Sequence, residues 1–322
     1  MTAALALPAL DGRSPLGFLA ALGVLHLITE NSSPQTRLAW SEQDCTATLI
    51  GGHDSIDDLV TDLTGIVGSV PAGGVLPGMH PDFPPPGAAP DKIRLPRPEL
   101  RDYAAWVSQH TGPAGERWMA SLVTDLSTDA QNRSDISLFT APAGRQSMRT
   151  MLAKPLEAVQ QNPGLLREAL TGWRRYPGVT GEYLDHRALF DAVDAPDGTA
   201  SMRGVPGATW LALMSYPLLR TTAIHGQPLS TGWQPAAGRG IPRRLIYPLW
   251  SAPLDTAAVT AVLAHPVLQC ADTVTPSPAA RQLSIFLLCA AERRTPPGAK
   301  SAGVLTPIPI TPAGRARGRA AR

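Results

Sequence analysis

The chain of 322 residues is long enough for one large domain or two of ordinary size, and with 43% hydrophobic and 17% charged residues most of it is expected to fold. Its 33 prolines and 29 glycines predict much irregular connection. The net charge of +2 conceals an asymmetry: Arg293 to Arg322 holds cations and no acid, so the remainder is mildly acidic, and any case for nucleic acid rests on local clusters. Cys45, Cys270 and Cys289 lie far apart with no CxxC pair, which excludes a disulfide framework and fits a reducing, cytoplasmic setting.

Taken in order, Ser14 and Pro15 predict the start of a helix whose apolar run PLGFLAALGVLHLI surrounds it on all sides. A membrane span needs about 20 such residues, and a secretory signal needs a basic n-region and a cleavage site. The run therefore reads as a buried core helix, with no membrane partner, and His26 reads as a hydrogen-bonded core residue. RLAW (37–40) and TATLI (46–50) predict a hairpin, and Ser55 caps a helix through Leu59 and Leu63. The opening is thus helix, hairpin, helix. Residues 70–98 are rich in proline and lack apolar periodicity, which predicts an extended surface loop. Helical spacing returns in Leu100, Tyr103, Trp106, Val107 and His110, then in Trp118, Met119, Leu122, Val123 and Leu126. These aromatics read as packing rather than a base-stacking platform.

A soft boundary near Ala130 separates an N-terminal region (1–130) from a C-terminal one (131–294). The latter opens on Phe139 to Arg187, the densest run of positive charge in the folded body, with Arg145, Arg149, Lys154, Arg167, Arg174, Arg175 and Arg187. Pro155 predicts that one helix ends near Ala153 and another begins at the proline, and Asn162 with Pro163 opens a third. Arg145 and Arg149 stack four residues apart after a glycine turn at Ala143-Gly144, and Arg174 and Arg175 follow Gly172. Both pairs can project from one side as a phosphate-contacting surface; the bland alternative is a solvated helix flank. APDG (195–198) reads as a turn and 204–220 as an apolar helix ended by Pro217. Short strands follow in TTAIHG, STGW and RRLIYPLW, with Arg239, Arg243 and Arg244 as a second basic patch. Asp255 caps a helix, and Gln282 to Ala291 reads as the last one. Residues 295–322 are expected to form a disordered basic tail. The sum is an α+β fold, helix-rich with small antiparallel sheets.

Catalytic motifs are sparse. There is no GxxxxGK[ST] loop, HExxH pair, GxSxG elbow or EF-hand loop. Glu182, Asp185, His186 and Asp191 form the best local candidate for a divalent cation, against the commoner reading of a structural ion-pair network. No cofactor is expected.

The segments LDGRSPLGFLAALGVLHLI, FTAPAGRQSMRTML, LTGWRRYPGVTGEYLDHR, GATWLALMSYPLLR, STGW and LIYPLW resemble a family of CRISPR-associated proteins of type I-G (formerly I-U) systems, described as a helicase-nuclease extension. The resemblance runs over most of residues 7–268. It implies antiviral defence inside a Cascade-type effector complex, with other complex subunits, guide RNA, target DNA and a helicase-nuclease as partners, the protein standing in for a large subunit. No catalytic residue carries over, because the helicase Walker motif and the tandem HD nuclease pattern are missing here. The expectation is a non-catalytic DNA- or RNA-binding and docking subunit, contacting phosphates through Arg145, Arg149, Lys154, Arg174, Arg175, Arg187, Arg243 and Arg244. Two alternatives stand beside it: a pure protein adaptor between complex and nuclease, and a metal-dependent hydrolase using Glu182, Asp185 and His186.

Overall fold

The computed structural model describes residues 4–87, 91–140, 146–190, 203–235, 242–268, 275–295 and 303–309. The chain begins with a strand, β1 (Ala4–Asp11), followed by α1 (Pro15–Asn31), β2 (Arg37–Trp40) and β3 (Thr46–Ile50). The hairpin and the helix are as the sequence predicts, but β1 adds a third strand in the antiparallel order β1-β3-β2. Leu7 and Leu10 of β1 are fully buried. Every residue of α1 from Pro15 to Ile28 is buried, as its all-round apolar surface requires. Next comes α2 (Ile56–Gly68), where the Ser55 hydroxyl accepts from the Asp58 amide at 3.1 Å.

The proline-rich stretch is irregular, but it is not a surface loop. Val75, Leu76, Met79, Phe83 and Ile93 are all buried in the main core. Prolines stop helices and ladders by fixing φ and removing a donor, and neither effect prevents the intervening side chains from packing. Beyond it α3 (Arg97–Leu122) bends at Gly112, whose φ of 57° is left-handed, with Pro113 next. The two predicted helical segments are therefore its two arms. The second ends earlier than the spacing suggests, because Val123 and Leu126 belong to β4 (Val123–Thr128), paired with β5 (Ser134–Ile136). Leu126 consequently faces solvent, 59% exposed.

In the central segment α4 (Met148–Gln161) runs straight through Pro155. The predicted break is absent because Met148, Met151, Leu152, Pro155, Leu156 and Val159 form one continuous buried face whose burial outweighs the one lost backbone hydrogen bond. After α5 (Gly164–Thr171), a two-residue strand β6 (Tyr176–Pro177), a 3-10 turn (Gly181–Tyr183) and α6 (Arg187–Phe190) lead to β7 (Arg203–Gly204), which pairs with β6. The expected turn at 195–198 lies outside the described residues. Then α7 (Pro206–Leu213), wholly buried, crosses α1. A Cβ on Gly23 would sit 1.7 Å from the Leu211 carbonyl oxygen, so only glycine admits this crossing.

Strands β8 (Thr221–Ile224) and β10 (Arg244–Trp250) match two of the predicted strands, but STGW (230–233) is not the strand between them: β9 (Gln227–Ser230) ends where it begins and pairs with β8 as a hairpin across His225-Gly226; Asp255 caps α8 (Thr256–Leu263). The end of the chain departs from expectation. Only Pro278–Gln282 is helical (α9), and the predicted last helix is instead β11 (Ile285–Arg294). It is followed by β12 (Val304–Ile308), in the antiparallel order β10-β11-β12. Val304 and Leu305 are buried, so the tail taken as disordered contains a core strand; residues 310–322 lie outside the described residues. Side chains from both sides of Ala130 share one hydrophobic cluster. At its centre Phe18, Trp40, Tyr247 and Trp250 pack ring on ring, Phe18 and Tyr247 at 4.5 Å, and the Trp250 indole donates to the Leu38 carbonyl at 2.8 Å. This is an α+β fold of small antiparallel sheets around buried helices. Among the described residues no helix is long and apolar enough to cross a membrane.

Candidate functional site

The cations singled out in the sequence divide into two kinds. Arg149 leaves α4 toward the proline-rich stretch and donates to the carbonyls of Pro81 (2.7 Å), Pro84 (2.9 Å) and Gly73. Irregular backbone cannot satisfy its own carbonyls, so a planar five-donor guanidinium is well suited to hold three of them. Arg243 does the same for the β8–β9 hairpin, through the Pro228 carbonyl and Gln227 Oε1 at 2.7 Å. Arg175 makes a two-pronged ion pair with Asp185, its second contact at 3.2 Å, and reaches the Arg203 carbonyl at 3.3 Å. Asp185 is 2% exposed, and its Oδ1 also accepts from the Arg187 amide at 3.0 Å.

Lys154, Arg174 and Arg187 are exposed. Arg174 stands 4.0 Å from Glu168 and is 76% exposed. Arg244 is half-buried on β10, where it pairs in register with Glu292. Arg145, with the predicted turn at Ala143-Gly144, and Arg239 lie outside the described residues. The structure adds Arg203, exposed on β7 and brought beside Arg174 and Arg175 by the β6–β7 pair. Two residues of pairing leave no periodic signal in a sequence, and the chain between Arg175 and Arg203 hides their adjacency. The backbones of Arg187 and Arg203 therefore meet at the Arg175–Asp185 pair, Arg174 adjoins Arg175 in sequence with its own side chain toward Glu168, and Lys154 is close enough to act on the charge of Glu182.

Glu182 itself is 1% exposed. It accepts from Gln146 Nε2, and burial pushes its carboxyl up to about 7, against the smaller downward pull of that hydrogen bond and of Lys154. Both Glu182 (φ 44°) and Tyr183 (φ 69°) sit in the left-handed region, which costs non-glycine residues of order 1 kcal/mol each. Gln146 Oε1 is buried with no hydrogen-bond partner among the described residues. Arg293 of β11 closes the same region: it donates to the carbonyls of Leu138 (2.9 Å) and Gly303 (3.2 Å), lies over the Trp233 ring at 5.9 Å, and is pushed down to about 10 by burial.

The candidate cation site at Glu182, Asp185 and His186, weighed above against an ion-pair network, is not assembled among the described residues. Glu182 turns inward to Gln146, while Asp185 is held by Arg175, and no group of three or more His, Cys, Asp or Glu side chains converges. His186 is half-buried, and Asp191 lies outside the described residues. No protein-family model matches the chain, and no curated protein matches it.

Proposed function

We propose that the protein is a non-catalytic docking subunit of a type I-G CRISPR interference complex, gripping a nucleic-acid backbone through Lys154, Arg174, Arg187 and Arg203 while its body seats against other subunits. The resemblance of the quoted segments supplies the setting. The exposure of these cations, with the backbones of Arg187 and Arg203 brought together at the Arg175–Asp185 pair, is the observation that supports the contact to phosphate. Arg149 and Arg243 leave that role, since their donors hold the chain's own carbonyls.

The test is a binding isotherm series for the K154A/R174A/R187A/R203A variant on duplex and single-stranded DNA at several salt concentrations. Each lost phosphate contact should flatten the log–log salt slope by about 0.7 to 0.9, equally across sequences, with little change in melting temperature. An unchanged slope removes the phosphate contact. It would favour the pure adaptor, a reading that the internal use of Arg149, Arg175 and Arg243 already supports. Incubation of the purified protein with DNA and magnesium or manganese addresses the hydrolase alternative: the proposal expects no cleavage.

A further inference from the structure

The C-terminal end of α1, the second arm of α3, the 77–79 segment and the chain that follows α7 enclose a cleft of about 190 Å³. Leu27, Met79 and Met214 form apolar wall beside the Trp118 ring, and His26, Glu30, Asn31 and Arg117 form the polar lining. Three of these four polar side chains are engaged: Arg117 pairs with Glu30 at 2.8 Å, and the Asn31 amide donates to the Leu27 carbonyl at 2.8 Å. His26 is not. It is 8% exposed, and no described residue hydrogen-bonds to its ring, where the sequence reading expects a bonded core histidine. The unpaired indole nitrogens of Trp210 and Trp233 are sealed from solvent, but the ring nitrogens of His26 keep accessible surface, and the space they open onto is the cleft. Burial first, and the charge of Arg117 second, hold the pKa of His26 down at about 4, so at pH 7 the ring is neutral and carries one donor and one acceptor.

We infer that this cleft binds a single uncharged ring bearing a hydrogen-bond donor beside an acceptor, the edge that a carboxamide or a nucleobase presents, with His26 as its polar contact. Concave sites with apolar walls and a few placed polar groups are where small molecules bind, and a buried polar group without a partner in the free protein gains most from a ligand that supplies one. The charges around His26 select against ions. A cation meets the Arg117 guanidinium and an imidazole that already resists protonation, and an anion finds Arg117 satisfied by Glu30. No bond fixes which nitrogen of His26 carries the proton, so a donor beside an acceptor pairs with either tautomer. The size agrees, since a cavity of about 150 Å³ holds a benzene ring. The inference does not depend on the interference complex.

The experiment is isothermal titration calorimetry of the full chain with benzamide, cytosine, benzoate, benzamidine and a cytidine dinucleotide. Benzamide and cytosine should bind with a Kd of about 1 mM or tighter, and the charged benzoate and benzamidine about tenfold or more weakly. Cytosine affinity retained in the dinucleotide identifies a base on a strand as the source, and affinity confined to the free rings identifies a small molecule. His26→Leu, which keeps a similar volume and removes both nitrogens, should weaken benzamide about tenfold. Ala114→Leu, at a half-buried lining position, adds volume to the cleft and should weaken benzamide as much with His26 in place, so the test stands even where the His26 variant does not fold. Absence of heat with benzamide and cytosine to about 5 mM, equal affinity for benzamide and benzoate, or unaltered benzamide affinity in either folded variant overturns the inference.

Discussion

Arg149 and Arg203 show how differently one side chain is used in two parts of the same fold. Arg149 is enclosed by a loop whose carbonyls have no ladder to join, and three of them converge on its guanidinium. Arg203 lies on a two-residue strand whose carbonyl takes a bond from Arg175, leaving its own side chain exposed. Positive charge density along a sequence therefore says little about positive charge at the surface. What decides is whether the neighbouring backbone is regular: irregular chain recruits arginines as donors, and paired or helical chain releases them.

The largest effect should come from the region where irregular chain was expected and a strand was found. Truncation after Thr295 removes β12, and with it the buried Val304 and Leu305 and the Gly303 carbonyl that Arg293 holds. Each buried aliphatic side chain contributes about 1.5 to 3 kcal/mol, so the truncated protein should lose several kcal/mol and melt far lower or fail to fold. Truncation after Pro309 tests the comparison from the other side and should leave most of that stability in place. Equal melting temperatures for the full chain and the form ending at Thr295 would show that β12 contributes nothing.

Arg293 comes next. Replacement by Met keeps the aliphatic stem but leaves the Leu138 and Gly303 carbonyls without their donor, so a loss of about 3 kcal/mol is expected in denaturant unfolding. Arg149→Ala should cost about 2 to 3 kcal/mol by releasing the proline-rich stretch, and Arg149→Lys should recover little, because one ammonium cannot reproduce a planar fork across three carbonyls. Full recovery by lysine would mean that charge, not geometry, is what the loop requires.

These arginines also mark where the sequence was legible. Helix α1, the β2–β3 hairpin, the caps at Ser55 and Asp255 and strand β10 are set by local pattern, and each stands where that pattern places it. Strand β11 was misread because QLSIFLLCAAE has apolar residues in a run that suits a buried helix or a buried strand equally, and only its pairing with β10 and β12 decides. β12 was missed because Pro307 and Pro309 suggest loop; as an edge strand, β12 accommodates a proline whose missing N–H faces away from the ladder. At the candidate site, residue types and the charge-rich segment were visible. The partners of Arg149, 65 to 76 residues away in sequence, and the approach of Arg203 were not, since both depend on tertiary packing.

Two buried titratable groups give a comparison of smaller amplitude. Glu182 is raised from an ordinary 4.5 to about 7 by burial. Between those values the folded state holds a proton that the unfolded state releases, so this group's contribution is fully present below about 4.5 and is lost as pH rises to 7. His26 is lowered from 6.5 to about 4, by burial first and by Arg117 second. Here the folded state is the one lacking the proton, so its contribution is present above about 6.5 and is lost as pH falls toward 4. The two slopes oppose each other across the same window. Unfolding free energies measured from pH 4.5 to 7 should thus rise with pH more steeply in Glu182→Gln and fall with pH in His26→Leu, relative to the parent, by up to a few kcal/mol over the window. Parallel profiles for all three proteins would show that neither group titrates differently on folding.

The smallest expected change in stability makes the sharpest contrast, because it compares adjacent residues. Arg174 is 76% exposed and 4.0 Å from Glu168, whereas Arg175 is 16% exposed and grips Asp185, itself 2% exposed. Arg175→Ala strands a buried carboxylate and should cost about 3 to 5 kcal/mol, the usual consequence of removing one partner of a buried pair. Arg174→Ala should move stability by less than about 0.5 kcal/mol, as exposed pairs at this distance do. Its effect belongs to binding: if it meets a phosphate, the salt slope for DNA flattens by about 0.7 to 0.9 while the melting curve stays put. A destabilised Arg174→Ala protein with an unaltered slope would place Arg174 in the same structural role as its neighbour. The phosphate grip would then rest on Lys154, Arg187 and Arg203, and single substitutions there would show whether any of them carries it.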